Sequence, residues 1–161
     1  MIIMAVSSTN LYSETWTTVR DLIEDNVTDP KTNLASSPRK WVYTNFPDLS
    51  TRGFTGFPLI IVNPVEITDG YLLLNDTQRE DSPLVKVEVW DEFTNGMGGL
   101  DSLSNSMISI LRKASSITTL QTANLFYPKI SSSNVVDTVV DNKRLLSRAF
   151  IVTMKTQTVL Q

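Results

Sequence analysis

The 161-residue chain contains neither cysteine nor histidine. Without cysteine it has no disulfide, no thiolate nucleophile and no cysteine-ligated metal. Without histidine it lacks the usual general base at neutral pH and the commonest metal ligand, which excludes Ser-His triads, histidine zinc sites and histidine proton relays. Carboxylates are therefore the side chains that remain to be examined for catalysis.

Long apolar runs are also missing. Apart from residues 1–6, the longest run extends from Pro58 to Val62, far short of the ~20 residues that a membrane helix needs. Residues 1–6 are apolar but carry no basic lead and run into a polar stretch, which is not the pattern of a signal peptide. We expect a protein that is made in the cytoplasm and contacts no membrane.

The carboxylates cluster in the middle of the chain. A pair of catalytic acids needs one carboxyl in an apolar pocket to raise its pKa, and these acids have polar neighbours. They are consistent with a solvated loop or with a weak Ca²⁺ or Mg²⁺ site. The residues concerned are Asp69, Asp76, Glu80, Asp81, Glu88, Asp91 and Glu92.

Nucleotide-binding loops are absent as well. Residues 96–99 (GMGG) precede a predicted helix but have neither the P-loop lysine nor the Rossmann glycine spacing, so they predict a flexible or tightly turning loop. With no catalytic, cofactor-binding or metal-binding set in view, we predict that the protein is not an enzyme and carries no cofactor.

Hydrophobic periodicity predicts two main helices, at 11–27 and 100–114. Loops rich in turn residues are predicted at 31–38, 47–56, 75–83 and 91–99. The predicted fold class is α+β, a single domain over 1–161 with a mostly antiparallel sheet and the two helices packed on it. Strands are predicted at 39–46, 57–67, 84–90, 125–130, 135–140 and 145–159, with a possible short one at 71–74.

Four large apolar side chains lie in or beside predicted loops without core periodicity. Such residues often contact partners, although folding back onto their own domain is an equal alternative. The candidates for an assembly interface are Phe54, Phe57, Phe93 and Met97.

Charge is unevenly distributed along the chain. Residues 66–92 hold eight acids against two bases, a local balance of −6, which leaves +3 on the rest of a chain whose net charge is −3. An acidic face opposite a basic one suits head-to-tail contact between identical subunits, and a merely solvated face is the alternative. The acidic candidates, for a channel wall or a neighbour-facing surface, are Asp76, Glu80 and Asp81; the candidate basic partners are Lys143, Arg144 and Arg148.

The order of these elements resembles a known family. An N-terminal amphipathic helix is followed by the strand GFPLIIV, then LVKVEVWDE, a loop, the helix LDSLSNSMISILRKA, the segment LFYPKI and a long terminal strand RLLSRAFIVTMKTQ. This order is similar to that of the tail terminator, or tail completion, proteins of long-tailed bacteriophages and related archaeal viruses. The resemblance covers residues 10–158.

The resemblance implies a structural subunit of the virion. It implies an α+β fold, a homohexameric ring that caps the finished tail tube and stops its growth, and a surface to which the head connector docks. The implied partners are further copies of the chain, the tail tube protein and the head-tail connector protein, with DNA passing through the ring without specific binding. The family has no fixed motif of functional residues, so the resemblance assigns none here.

Other assignments would show different features. A head-tail connector or neck adaptor would contain more helix, and a tail tube subunit would be mostly sheet with a long loop. A non-viral binding module would be monomeric, with one concave apolar pocket.

The composition yields one prediction. We expect no turnover of esters, phosphates or glycosides by the purified chain, because histidine and cysteine are absent and the acids have polar surroundings. Hydrolysis that disappears in Asp81→Asn or Glu88→Gln would contradict it.

Overall fold

The computed structural model describes residues 11–31, 40–52, 54–63, 66–68 and 78–159. The possible strand at 71–74, Asp76 and most of the loop predicted at 31–38 lie outside these ranges.

Within the described residues, three helices pack against the sheet. Helix α1 spans Leu11–Asn26, which confirms the first predicted helix, and it buries Val19, Leu22 and Ile23 at the spacing of one helical face. Helix α2 spans Gly96–Arg112 and α3 spans Ala114–Thr122. No helix in the described part of the chain is long and apolar enough to cross a membrane.

The start of α2 differs from the prediction. Residues 91–99 were predicted to form a loop, but Asp91 and Glu92 end a strand, Phe93–Asn95 form a 3₁₀ turn, and α2 begins at Gly96. Gly96 has a φ of 66°, a conformation that glycine adopts without the cost of a Cβ, and it lets the chain turn directly from the 3₁₀ segment into the helix. The glycines thus mark a tight junction between strand and helix.

The seven described strands form one sheet. Its order is β1-β2-β4-β7-β5, while β3 also pairs with β4 and β6 also pairs with β7. Among the described strands, β1 and β2 are parallel and every other pair is antiparallel. The strands are β1 (Val42–Tyr43), β2 (Leu59–Val62), β3 (Glu66–Thr68), β4 (Gln78–Glu92), β5 (Phe126–Ser132), β6 (Val136–Val140) and β7 (Lys143–Val159).

The centre of the sheet is the antiparallel ladder between β4 and β7. It runs from Gln78 opposite Val159 to Glu92 opposite Leu145. The predicted strand at 84–90 is therefore confirmed and extended at both ends. The loop predicted at 75–83 is wrong from residue 78 onward, where β4 begins. The polar residues there are held in the ladder by a partner strand that is distant in sequence.

Several other boundaries changed. The strand predicted at 39–46 is reduced to β1, and the one predicted at 57–67 is divided into β2 and β3. The strands predicted at 125–130, 135–140 and 145–159 are confirmed with small shifts, and β7 is the longest strand of the sheet.

Two hydrophobic clusters cover opposite faces of the sheet. Side chains of β4 and β7 that point to one face, such as Val87 and Phe150, form the larger cluster with the three helices. The α+β class is therefore confirmed, with helices on one face of a mostly antiparallel sheet. The smaller cluster lies on the other face, where Phe57, Leu59 and Leu145 are buried. Phe46, Leu49 and Phe54, from the segment between β1 and β2, pack against it.

Phe57 is a core residue, which corrects its prediction as an interface candidate. It is 0% exposed, and its ring meets Phe54 edge-on at a centroid distance of 5.4 Å. Phe54 is only half-buried and packs against the same cluster. The alternative that these two aromatics fold back onto their own domain describes them correctly.

This burial predicts that alanine substitution lowers the free energy of unfolding much more at Phe57 than at Phe93. Phe57→Ala should lower the free energy of unfolding by about 3–5 kcal/mol, because it leaves a cavity in a packed cluster. The exposed Phe93 is the matched control, and Phe93→Ala should cost less than about 1 kcal/mol. Urea unfolding of both variants measures the difference, and equal losses would show that Phe57 is not a packing residue.

Candidate assembly surface

The acidic candidates do not share one surface. Glu80 and Asp81 are consecutive residues of β4 and so point to opposite faces of the sheet. Asp81 is only 5% exposed and stands opposite the fully buried Thr156, so its carboxylate lies inside its own subunit. Its proposed role on a channel wall or against a neighbour is therefore wrong. Glu80 is half-buried and forms an ion pair with Lys155.

No metal site supports the cation interpretation of these acids. Within the part of the chain that the structure describes, no three carboxylates come together to hold an ion. Asp76, the remaining acidic candidate, lies outside the described residues.

All three basic candidates pair with acids of their own subunit. Lys143 Nζ lies 4.0 Å from Glu92 Oε1, and Arg148 Nη1 lies 2.7 Å from Asp101 Oδ1 on α2. Partly exposed pairs of this kind contribute only ~0–1 kcal/mol each. They nevertheless compete with any acid that a neighbour could offer, which weakens the expectation that Lys143 and Arg148 face an acidic neighbour.

Arg144 has a different environment. Its guanidinium carbon lies 3.6 Å from the ring centroid of Phe93, so the planar cation covers the aromatic face. The same guanidinium donates hydrogen bonds of 2.6–3.0 Å to both carboxylate oxygens of Asp137 on β6. These bonds lower the pKa of Asp137 and raise that of Arg144, so both groups stay charged at neutral pH.

Phe93 and Met97 are both exposed in the segment that follows β4. Phe93 is 40% exposed in the 3₁₀ turn, and Met97 is 44% exposed four residues later at the start of α2. We call Phe93, Met97 and Arg144 the Phe93 patch. The sequence predicts all three as interface candidates. In the structure Phe93 and Arg144 are in direct contact, and Met97 follows Phe93 by four residues in the chain.

A buried carboxylate fixes the turn that presents the patch. Asp91 is almost fully buried at the end of β4, and its Oδ1 accepts hydrogen bonds from the backbone N–H of Glu92 at 2.8 Å and from Nδ2 of Asn95 at 2.7 Å. The carboxylate also lies next to the N-terminal turn of α2, where the helix dipole favours negative charge. The turn from Phe93 to Met97 is therefore anchored to the core of the sheet.

Comparison with known proteins adds no family assignment, because neither the family models nor the curated proteins contain a match to this chain.

The composition of the Phe93 patch is that of a protein interface. Aromatic residues, methionine and arginine are enriched at the centres of interfaces, because they bury large areas at modest entropic cost. The stacked and doubly hydrogen-bonded Arg144 is held in one orientation, so little freedom remains to be lost on binding. These residue types make the patch a candidate for contact with a protein surface.

Sequence reasoning missed two residues that shape this surface. Asp137 is 7 residues from Arg144 in sequence, and only the β6–β7 pairing brings them together. Asp91 was grouped with the solvated acids, although its neighbour in the alternating strand, Val89, is buried two residues earlier. That alternation was the available signal, since it places residue 91 on the buried face.

The anchoring of the turn predicts opposite effects at two adjacent glycines. A Cβ at Gly99 would collide with Oδ2 of Asp91, whereas a Cβ at Gly98 would meet nothing within 4 Å. Gly98→Ala should therefore stabilise the protein by about 0.4–1 kcal/mol by reducing the entropy of the unfolded chain. Gly99→Ala should destabilise it by about 1–3 kcal/mol through overpacking.

Thermal unfolding of the two variants measures this difference. If Gly99→Ala is as stable as Gly98→Ala, the carboxylate of Asp91 does not hold the turn.

Proposed function

We propose that this chain is a structural subunit of a viral tail, a tail terminator that assembles into a ring of six copies. The ring caps the end of the tail tube, stops its growth and provides the surface to which the head connector docks. The subunit is made in the host cytoplasm and ends in the neck of the virion.

The order of elements supports the proposal. The strands and helices that carry the family resemblance occur in the expected sequence, from α1 through β2, β4 and α2 to β5 and the long β7. They form the α+β fold that the resemblance implies.

The observation that carries the proposal furthest is the Phe93 patch. It is exposed on one subunit, it is rigidly supported by Asp91 and Asp137, and its residue types are those of interface centres. A ring requires such a surface to meet a different surface on the next copy, since head-to-tail contacts close into cycles. The patch supplies the first of these two surfaces.

Charge is consistent with passage of DNA through the ring. A net charge of −3 favours exclusion of phosphates, whereas a basic lining would retain the duplex through counterion release. The DNA is therefore a passing cargo that the ring does not bind specifically.

Substitution in the patch tests the proposal. Phe93→Asp or Met97→Asp should abolish ring formation and tube capping, because a charge replaces an apolar side chain at the centre of the contact. The circular dichroism spectrum and melting temperature should remain nearly those of the parent, since both side chains are exposed. Each variant is expressed together with the tail tube subunit of the same virus, and particles are examined by native mass spectrometry and negative-stain microscopy.

Tyr127→Asp is the matched control. Tyr127 is an aromatic residue that is 79% exposed at the other end of the sheet, so its replacement should leave capping unchanged. A parent chain that neither forms six-membered rings nor caps tubes would overturn the proposed function. Capping that persists in Phe93→Asp would remove the patch from the interface while leaving the function itself open to another surface.

A further inference from the structure

The outer edge of β6 is an open strand edge. β6 pairs with β7 on one side, and no described strand pairs with its other side. Two apolar side chains lie exposed on it, with Val136 53% and Val139 66% exposed. Open edges of this kind are templates for pairing with another chain.

The hairpin turn determines which backbone groups point outward. Asp141 and Asn142 both have positive φ, as in a two-residue type I′ turn, so the carbonyl of Val140 accepts from the N–H of Lys143. Because hydrogen-bonding direction alternates along a strand, Thr138 and Val136 also face β7. The N–H and C=O groups of Asp137 and Val139 therefore point to the open side.

The neighbouring strand on the same edge, β5, is protected from pairing with a further strand, and β6 is not. In β5 the register with β7 shifts between Phe126 and Lys129, and Tyr127 in that bulge has a φ of 54°. Pro128 and the exposed Lys129 follow it. Bulges, proline and lysine are the devices that keep edges from pairing, and β6 has none of them.

We propose that β6 pairs with β6 of a second copy of this chain, antiparallel about a two-fold axis at Thr138. In this register Asp137 stands opposite Val139 of the partner subunit, so the outward groups of both strands form complementary hydrogen-bonded pairs. Thr138 stands opposite its own copy. The open edge of each subunit is thus occupied by β6 of the other subunit.

The side chains of β6 fit this register on both faces. On the face opposite the helices, Val136 meets Val140 of the partner subunit and the two Thr138 side chains meet each other, pairs that stabilise antiparallel sheets. On the helix face, each Val139 lies between Arg144 of its own subunit and Asp137 of the partner subunit. No two like charges therefore stand directly opposite each other across the contact, so no repulsion opposes the pairing.

The contact is independent of the proposed ring. A two-fold contact joins two copies and stops, whereas a ring needs head-to-tail contacts through a different surface. Pairing of β6 covers an edge that would otherwise recruit further strands, so it keeps free subunits from aggregating.

Cysteine cross-linking tests the register directly, because the chain has no cysteine of its own. In the paired strands the two Thr138 Cα atoms lie about 4.5 Å apart, as in a non-hydrogen-bonded antiparallel pair. A disulfide spans that separation. Thr138→Cys should form a covalent dimer with oxidised glutathione, each disulfide forming as one glutathione disulfide is reduced to two thiols.

Two flanking variants distinguish this register from random collision. Val136→Cys alone should not cross-link, because the two copies of residue 136 lie roughly 13 Å apart along the strands. A mixture of Val136→Cys with Val140→Cys should cross-link, since these positions stand opposite each other.

Charge variants provide a second test that needs no oxidation. Val139→Asp places a carboxylate opposite Asp137 of the partner subunit and should abolish the concentration-dependent dimer in sedimentation velocity. Val139→Lys places a cation there and should keep it. Tyr127→Asp on the protected β5 edge is the control and should dimerise like the parent, with circular dichroism confirming the fold of every variant.

Three results would overturn the pairing. They are a parent chain that stays monomeric at all concentrations, cross-linking by Val136→Cys alone, and a dimer that survives Val139→Asp. An extended segment of another protein on this edge would give the first result. None of these results bears on tube capping, which is tested separately with the Phe93→Asp variant.

Discussion

The antiparallel ladder between β4 and β7 determines where every other part of the molecule lies. Each strand contributes alternate residues to the helix-side cluster, such as Val85 opposite Val152 and Val87 opposite Phe150. A slip of one residue would turn all of these side chains to the opposite face, so the register is strongly fixed. The helices, β2 and the outer edge strands are all positioned by this pair.

The same ladder explains which parts of the fold the sequence predicts. The strand at 84–90 is predictable because its alternation of valine and polar residues is a local signal, and the strand at 135–140 is predictable because it is rich in β-branched residues. The polar segment of β4 before residue 84 is not predictable, because its extended conformation depends on Thr156 and other partners far along the chain. The sequence does not predict helix α3, because serine and threonine favour turns and caps as readily as helices. In the structure Thr118 and Thr119 donate hydrogen bonds to carbonyls four residues earlier.

On the candidate surface, too, some features follow from the local sequence and others depend on residues that are distant in the chain. Phe93 and Met97 lie between a strand and a glycine-rich helix start, and their exposure is one of the two alternatives that the sequence leaves open. The burial of Phe57 does not follow from its neighbours in sequence alone, because its cluster also includes Leu145 on the distant strand β7. Likewise, strand pairing brings Asp137 to Arg144, and helix packing brings Asp101 to Arg148. Local sequence specifies neither contact.

The two-residue turn at Asp141 and Asn142 has a consequence for the order of folding. It makes β6 and β7 the most local strand pair of the sheet, so this hairpin closes on the microsecond timescale typical of hairpins. The β4–β7 ladder must instead close a loop from Glu92 to Leu145 that contains two helices, and such non-local pairing is slow. We therefore expect the pairing of β4 with this hairpin to limit the rate of folding.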